Sequence, residues 1–337
     1  MFVEKQKIVQ VDDYIALLDL MIQDAENAPT SQFDATPHSR WLKYSDNYLE
    51  ILRKKGLNDF RQPRALPNSF GAIDKNPNGI SANEMLHIVR TSFISDGMKR
   101  IDELLPSRVG NPECFEVDNG GFFTLSWLNF YCRYAYVSKF MTLSNQIIVE
   151  IGSGSGKQAE MLKKAHPDLT ILLFDLPTQL YVCNQYLSKV FEGTNYIADY
   201  HVGRNVNNFS EIKHGKINIL PHWKSSILYN AEFDLLWNAA SFQEMAKPTA
   251  LAYFKVVNKA KNLYLMHNIK YAGMKEFPGE RGVISDKYLK DFKEIDRNIA
   301  HLAYTPKNWI YFDSFWRHVS SDKAVGKNKW FNFRRRG

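Results

Sequence analysis

The sequence predicts an α/β protein with a mostly parallel sheet behind a helical N-terminal part. Strand-like and helix-like segments alternate from residue 147 onward, and such alternation is typical of a parallel sheet flanked by helices. Upstream, residues 11–28 and 39–56 carry apolar side chains at helical spacing. The aromatic segments 308–319 and 329–336 are strand-like, which predicts an antiparallel hairpin that closes the sheet edge.

The elements divide the chain near residue 140. We expect residues 1–140 to form a helical region that caps the substrate, with further helices around 82–105 and 123–142. Residues 141–337 are the expected cofactor-binding domain, in which two helices follow the first two strands and another begins near Pro248. Its expected strands read QIIVEI, LTILLFDLP, KINIL, FDLLWN and LYLMHN.

Composition limits the classes of protein that the chain can belong to. With 337 residues, 45% of them hydrophobic, the chain can bury a sizeable core. Its three cysteines lack metal-site or C-x-x-C spacing, and no apolar run is long enough for a signal peptide or a membrane span. We therefore expect a cytoplasmic protein. The net charge of +7 and the basic tail permit at most peripheral membrane contact.

The segment IIVEIGSGSGK carries the strongest functional signal. A phosphate-binding Walker loop needs a glycine where Ile151 stands and a hydroxyl where Gln158 stands. The dinucleotide fingerprint G-x-G-x-x-G fits Gly152 and Gly154 but meets Lys157 at its third glycine. The Walker pattern therefore fails, while a nicotinamide or flavin enzyme stays open as an alternative.

The pattern Glu150-x-Gly152-x-Gly154-x-Gly156 is the form seen in methyltransferases that use S-adenosylmethionine (SAM). SAM carries no phosphate that would require a helix N-terminus. We expect the glycines to let the backbone pass close beneath the amino-acid end of SAM. The Glu150 carboxylate would then face the ammonium or sulfonium group.

The second strand supplies another acid at its carboxyl end. Asp175 can accept hydrogen bonds from both ribose hydroxyls, and we include its neighbour Leu176 in the expected cofactor site. NAD would need the same acid, and a helix N-cap before Pro177 is the structural alternative. Together with the glycine loop, Asp175 predicts SAM as the cofactor.

Two later strand ends complete the expected cofactor site. His222 and Trp223 follow the third strand and could border the adenine, although a core tryptophan is an equal alternative. Asn238 ends the fourth strand and could bond the amino-acid end of SAM, although a turn asparagine is also open.

These motifs resemble those of the bacterial putative sugar O-methyltransferase family, whose pattern runs E-I-G-x-G-x-G, D-L-P, Y-L and N-x-x-S-F-x-E-M, then a strand that ends in N. The resemblance implies a Rossmann-like class I methyltransferase sheet and methyl transfer to a hydroxyl of a sugar or glycan in surface-polysaccharide or glycoconjugate synthesis. It implies a sugar, nucleotide-sugar or glycan substrate. The matching segments are Glu150–Gly156, Asp175–Pro177, Tyr186–Leu187, Asn238–Met245 and Asn268.

Methyl transfer to a hydroxyl benefits from a base that removes its proton. The expected candidates follow strand ends, where the ligand crevice of such sheets lies. Glu244 and His267 rank first, one as base and the other to orient the acceptor. Asp199, with His201, is a third candidate. A helix-start carboxylate and a structurally bonded histidine are the respective alternatives for the first two.

The acceptor site is less defined by the sequence. Candidate wall residues come from the helical front: Trp41, Arg61, Asn111 and Trp127. We expect no metal and no nucleic-acid partner, since no RNA-binding motif appears. A homodimer is possible. A small natural product or other metabolite, methylated on oxygen or nitrogen, is the alternative acceptor, and a non-catalytic SAM-binding partner is a further alternative. In phenol methyltransferases a histidine base stands at the position of Ala240.

Overall fold

A computed structural model gives the fold of most of the chain. It describes residues 11–28, 39–62, 81–92, 97–117, 121–245, 247–270, 289–300 and 309–320. The second strand that the sequence predicts for the terminal hairpin, at 329–336, lies outside the described residues.

Helices make up most of the described N-terminal part. The backbone turns out of α2 at Gly56 with a positive φ of 63°, the conformation that often ends helices. The side chain of Thr124 caps α4 by accepting a hydrogen bond from the backbone N–H of Trp127 at 3.2 Å. Within the described ranges no helix is both long and apolar enough to cross a membrane. The elements are α1 (Val11–Glu26), α2 (Ser39–Lys55), α3 (Ala82–Ser92), β1 (Phe115–Glu116), β2 (Phe122–Phe123) and α4 (Leu125–Ser138).

The remaining elements form a sheet of eight strands with helices between them. The strand order is β5-β6-β4-β3-β7-β8-β10-β9. Neighbours from β5 to β8 run parallel, whereas β10 lies antiparallel to both β8 and β9. The elements are β3 (Ile147–Ile151), α5 (Lys157–Ala165), β4 (Thr170–Asp175), α6 (Pro177–Val190), β5 (Ile197–Ala198), α7 (Tyr200–Gly203), β6 (Ile217–Pro221), β7 (Phe233–Ala239), α8 (Lys247–Val257), β8 (Ala260–Lys270), β9 (Phe292–Ile299) and β10 (Trp309–His318).

This architecture confirms the predicted fold class, a mostly parallel sheet with antiparallel C-terminal strands. The sequence analysis did not foresee β9, whose residues FKEIDRNI are mostly charged or polar. Such a strand lacks the apolar alternation by which strands are recognised, and it forms at the sheet edge by pairing with β10. The helix predicted over 82–105 ends at Ser92, and a short 3-10 helix covers Ile101–Glu103.

The helical front shares a core with the sheet. One buried cluster joins Leu18 of α1 and Tyr48 of α2 to Ile148 of β3 and Phe315 of β10. A second cluster covers the opposite face of the sheet and includes α8. The division near residue 140 therefore marks a change of secondary structure rather than a break in the hydrophobic core.

A polar contact fastens α1 to the sheet domain. The carboxylate of Asp24 accepts hydrogen bonds from the Tyr200 hydroxyl at 2.9 Å and from Arg204 Nε at 2.6 Å. The hydrogen bond from Arg204 is the main reason that the pKa of Asp24 lies below its usual value. The Asp24 side chain is 18% exposed, so these charge-assisted hydrogen bonds are only partly screened by water.

Replacing Asp24 with Asn should lower the free energy of unfolding by about 1–3 kcal/mol, because it weakens the hydrogen bonds from Tyr200 and Arg204 and leaves Arg204 without its anion. Asp19→Asn is the matched control. Its carboxylate also pairs with an arginine, Arg53, but is 50% exposed, so the cost should stay within about 0.5 kcal/mol. Urea unfolding measures both, and equal costs would contradict a specific role for the Asp24 contact.

Candidate active site

The glycine loop, residues 152–156, joins the end of β3 to the start of α5. The N–H of Gly152 donates to the carbonyl of Phe174 at 2.8 Å, which keeps the loop beside β4. The glycines have positive φ angles of 81°, 55° and 80°, a region that residues with a Cβ adopt at a cost. The loop therefore emerges at the carboxyl edge of the sheet, where ligands bind in folds of this kind.

The three glycines have different neighbours. A Cβ on Gly152 would lie 2.3 Å from Ser241 Oγ, and a Cβ on Gly156 would lie 2.8 Å from Cys183 Sγ. At Gly154 a Cβ would meet no described atom within 4 Å. Gly152 and Gly156 thus permit close packing within the protein, whereas Gly154 faces open space at the edge of the sheet.

Glu150 is a buried acid in β3, two residues before the loop. It shares a face of β3 with Ile148 and is 4% exposed. Burial raises the pKa of its carboxyl to about 8, although the charge of Arg133 lowers it and that of Asp175 raises it further. No described group donates a hydrogen bond to this carboxylate. A desolvated acid of this kind is stabilised by a cation.

Arg133 is a site residue that the sequence analysis missed. It lies on α4, and its Nε atom is buried without a hydrogen-bond partner among the described residues. Its guanidinium group lies 5.0 Å from the centre of the Phe130 ring. The sequence feature that could have identified it is that Arg133 is the single arginine in the otherwise mostly apolar helix LSWLNFYCRYAYVS. Arg133 is thus a positive group close enough to Glu150 to lower its pKa.

Asp175 is bound to the glycine loop. Its Oδ2 accepts the N–H of Gly154 at 2.7 Å, and its Oδ1 accepts the N–H of Leu176 at 2.7 Å. Burial raises the pKa of Asp175 to about 7, although these hydrogen bonds lower it. The N-cap residue of α6 is Leu176 rather than Asp175. Asp175 is therefore not the N-cap residue that the structural alternative expected. Its carboxylate instead holds the glycine loop through the N–H of Gly154.

His222 and Trp223 lie next to Asp175 across the sheet. They follow Pro221, which is paired with Asp175, and the His222 ring forms a hydrogen bond with the Asp175 backbone. Burial lowers the pKa of His222 to about 4. The two rings meet edge to face with centres 5.0 Å apart. Both residues are partly exposed, so Trp223 is not a core tryptophan.

Asn238 makes the contacts of a turn asparagine, one of the two alternatives that the sequence left open. It is 0% exposed, and its Nδ2 donates to the Ile151 carbonyl at 2.8 Å and to Ser241 Oγ at 2.5 Å. Its Oδ1 accepts the N–H of Phe242 at 3.2 Å. Because protein groups already occupy this amide, the predicted direct contact with SAM gives way to a supporting role, which is the turn-asparagine alternative.

Glu244 lies near Asp175. It belongs to a short 3-10 helix, Phe242–Glu244, that follows β7, and its residue is exposed. Its charge contributes to the raised pKa of Asp175. Glu244 therefore combines access to solvent with proximity to the glycine loop.

His267 lies on the other face of the sheet from Glu150. It shares a face of β8 with Leu265, which belongs to the cluster beneath α8. The residue is 8% exposed, and burial lowers its pKa to about 4. Its Nδ1 has no hydrogen-bond partner within the described ranges. The sheet thus separates His267 from the pair formed by Arg133 and Glu150.

Asp199 was expected near the acceptor but has a structural position. Its side chain caps α7 by accepting the N–H of Val202 at 3.2 Å. The preceding residue, Ala198, pairs with Asn218 in the interior of β6, so Asp199 does not reach the carboxyl edge at Pro221. Because β5 is only two residues long, Asp199 stays away from the edge at which Asp175 lies.

The expected wall residues are mostly structural where they are described. Arg61 is 1% exposed and donates to the carbonyl of Ser107 at 2.7 Å. Trp127 is 0% exposed and donates to the carbonyl of Leu104 at 2.6 Å. Asn111 is exposed and donates to Asp59 at 2.8 Å. The side chain of Trp41 lies outside the described residues.

The expected absence of a metal stays a prediction. In the part of the chain that the structure describes, no three His, Cys, Asp or Glu side chains come together as metal ligands would.

Comparison with known proteins yields distant structural similarities. No protein-family model matches the sequence, and no curated protein matches it. The chain is similar to magnesium protoporphyrin IX methyltransferase (ChlM) from Synechocystis PCC 6803 with bound SAH, at 10% identity and a TM-score of 0.41 over 58% of this chain and 84% of that one. A putative sarcosine dimethylglycine methyltransferase from Galdieria sulphuraria matches at 10% identity and a TM-score of 0.42 over 57% and 86% of the two chains.

The cyclase SpnF also matches, at 13% identity and a TM-score of 0.38 over 56% of this chain and 80% of that one. Methyltransferases and a cyclase thus appear together at this level of similarity. The functional conclusion therefore rests on the residues of this chain.

Proposed function

We propose that this chain is a SAM-dependent methyltransferase. The observation that carries the proposal is the charge arrangement at the glycine loop. Glu150 and Asp175 place two carboxylates beside it, and Arg133 adds one guanidinium group. Two carboxylates repel the diphosphate of a dinucleotide, whereas they attract a cationic donor that lacks phosphate.

The residues match the parts of SAM in turn. The guanidinium of Arg133 would bind the carboxylate of its amino-acid end, and Glu150 would bind the ammonium group. Asp175 would accept hydrogen bonds from the ribose hydroxyls. The partly exposed His222 and Trp223 would border the adenine. A bound SAM supplies a methyl group that its positively charged sulfur activates toward a nucleophile.

The protein must position the acceptor oxygen in line with that methyl group, and this alignment lowers much of the barrier. We assign the base to Glu244, which is exposed and near Asp175. Its carboxylate accepts the hydroxyl proton as the oxygen attacks, and the carbon–sulfur bonding pair stays on sulfur. His267, buried on the opposite face, is the weaker candidate for either role.

We propose a hydroxyl of a sugar or glycan as the acceptor. The resemblance of the N-x-x-S-F-x-E-M segment to sugar O-methyltransferases supports this class, and Ala240 stands where a phenol methyltransferase carries its base. The free thiols of Cys114, Cys132 and Cys183 support our proposal of a reducing cytoplasm. A homodimer and the absence of a nucleic-acid substrate stay predictions.

The affinity for SAM should rise from about pH 6 to about pH 8. Burial raises the pKa of Glu150 to about 8 and that of Asp175 to about 7, and only the ionised carboxylates attract the cation. The free energy of unfolding of the protein without SAM should fall over the same pH range. An acid whose pKa is raised on folding from 4.5 stabilises at low pH, and that contribution is lost as the pH rises through the folded value.

Calorimetry and urea unfolding at several pH values measure both trends. Glu150→Gln should weaken SAM binding at pH 8, flatten its pH dependence and make the free protein relatively more stable at that pH. The control is Glu116→Gln, whose carboxylate is 72% exposed and should leave both trends unchanged. A wild-type affinity that does not change with pH would contradict the assignment.

Replacing Glu244 with Gln should slow methyl transfer by roughly 10²–10⁴-fold, the usual contribution of a general base. The affinity for SAM should stay within about twofold, since Glu244 is not assigned to the cofactor. His267→Gln should cost less. A large loss in His267→Gln, with none in Glu244→Gln, would reverse the assignment of the base.

The same assay tests the acceptor class. Radiolabelled SAM is offered with nucleotide sugars, lipid-linked glycans, phenols and RNA. Label in a sugar supports the proposal, and label in a phenol or in RNA alone contradicts the acceptor class. SAM binding without transfer to any acceptor would favour a non-catalytic SAM-binding partner.

A further inference from the structure

The turn after β7 is fastened to the end of β3. The carbonyl of Ile151 accepts hydrogen bonds from Asn238 Nδ2 and from Ser241 Oγ, both at 2.8 Å. Asn238 Nδ2 also lies 2.5 Å from Ser241 Oγ. We call these three groups the Ile151 clasp. Ile151 is the last residue before the glycine loop, so the clasp holds that loop directly to the turn.

Ser241 also occupies the space beside the first glycine. A Cβ on Gly152 would lie 2.3 Å from Ser241 Oγ and 2.4 Å from its Cβ. No side chain larger than hydrogen fits at residue 152 unless Ser241 moves. The missing side chain of Gly152 therefore makes room for Ser241, in contrast to the expectation that this glycine makes room for the cofactor.

The backbone of the turn is held in a strained form. Ala240 has a φ of 70°, a left-handed conformation that costs a residue with a Cβ roughly 1–2 kcal/mol. Its N–H donates to the carbonyl of Met266 at 2.8 Å, which anchors it to β8. This conformation directs Ser241 back toward β3. Such strain persists only where the surrounding structure enforces it and is common at functional sites.

The same turn continues into the segment that carries the proposed base. Phe242–Glu244 form the 3-10 helix, and the N–H of Phe242 donates to Asn238 at 3.2 Å. The proposed base, Glu244, is thus connected through the Ile151 clasp to the loop that is proposed to bind SAM. A shift of the loop on donor binding has a short, hydrogen-bonded path to the base.

We propose that Ser241 is a positioning residue that couples donor binding at the glycine loop to the placement of the turn carrying Glu244. This inference rests on the proposed function, because the coupling has an effect only if the loop binds the donor. The donor would then complete the acceptor side of the site before the acceptor arrives.

Hydrogen–deuterium exchange with S-adenosylhomocysteine (SAH) tests the coupling. In the wild-type protein SAH should protect both the loop at 152–156 and the turn at 240–245. In Ser241→Ala the loop should still be protected, but the added protection of the turn should be lost, and SAH affinity should fall roughly threefold or more. Ser210→Ala, an exposed serine, should behave like the wild type.

A double-mutant cycle tests the packing of Ser241 on Gly152. Gly152→Ala alone should weaken SAH binding strongly because of the clash, and adding Ser241→Gly should restore at least about tenfold of the loss. Gly193→Ala is the control, since Gly193 has a φ of 78° but no neighbour within 4 Å of its added Cβ. The effect of Gly193→Ala on the free energy of SAH binding should be additive with that of Ser241→Gly.

The outcomes separate the two proposals. If the wild-type protein fails to bind SAH, the proposed function is overturned and the coupling with it. If the wild-type protein binds SAH, and Ser241→Ala keeps full protection of the turn, this inference alone is overturned. If the double variant Gly152→Ala with Ser241→Gly binds SAH no better than Gly152→Ala does, the contact with Ser241 is not what requires a glycine at residue 152.

Discussion

The site depends on the carboxylate of Glu150, which is buried and therefore desolvated. Glu150 ends up 4% exposed because it lies on a central strand, beneath α4. Removing an ionised carboxylate from water is costly unless a cation compensates. Arg133 supplies part of that compensation, as its effect on the pKa of Glu150 shows. A cationic ligand beside the glycine loop would supply the remainder, and this requirement selects the kind of cofactor that the loop can hold.

The three glycines of the loop satisfy three separate constraints. Gly156 allows the loop to pack against Cys183 and Leu187 of α6, and Gly152 allows Ser241 to approach. Only Gly154 faces open space, while its N–H holds Asp175 in place. A motif that is typical of one kind of cofactor site thus combines two packing requirements with one position that faces open space. This division explains why the glycine spacing alone is shared by several classes of protein.

Much of the fold was accessible from sequence because buried parallel strands have a strong apolar signal. β3, β4, β6 and β7 appear close to where their apolar runs predicted them. β9 could not be foreseen, since its mostly charged and polar sequence becomes a strand only by pairing with β10. The shared core of helices and sheet was also hidden, because the packing of one helix face on a distant strand leaves no local pattern.

The site was predictable where chemistry and strand ends coincide. Glu150 and Asp175 lie at or near the carboxyl ends of β3 and β4, and Glu244 follows β7, while their role in a site stays a prediction. Arg133 was missed because its role depends on Glu150, which belongs to a different element of the fold. Asn238 was a candidate contact for SAM and Asp199 a candidate base, but their side chains bond a turn and cap a helix. Sequence position identifies the edge of the sheet, whereas hydrogen-bond partners decide which side chains remain for a ligand.

Titration calorimetry with SAH, SAM, NAD⁺ and ATP tests the central claim most directly, using the wild-type protein, Gly154→Ala and the control Gly193→Ala. The account predicts heat with SAH and SAM only. It predicts roughly tenfold or greater loss of affinity in Gly154→Ala, whereas Gly193→Ala, whose added Cβ also meets nothing within 4 Å, binds as the wild type does. Heat with NAD⁺ or ATP, and none with SAM or SAH, would contradict it.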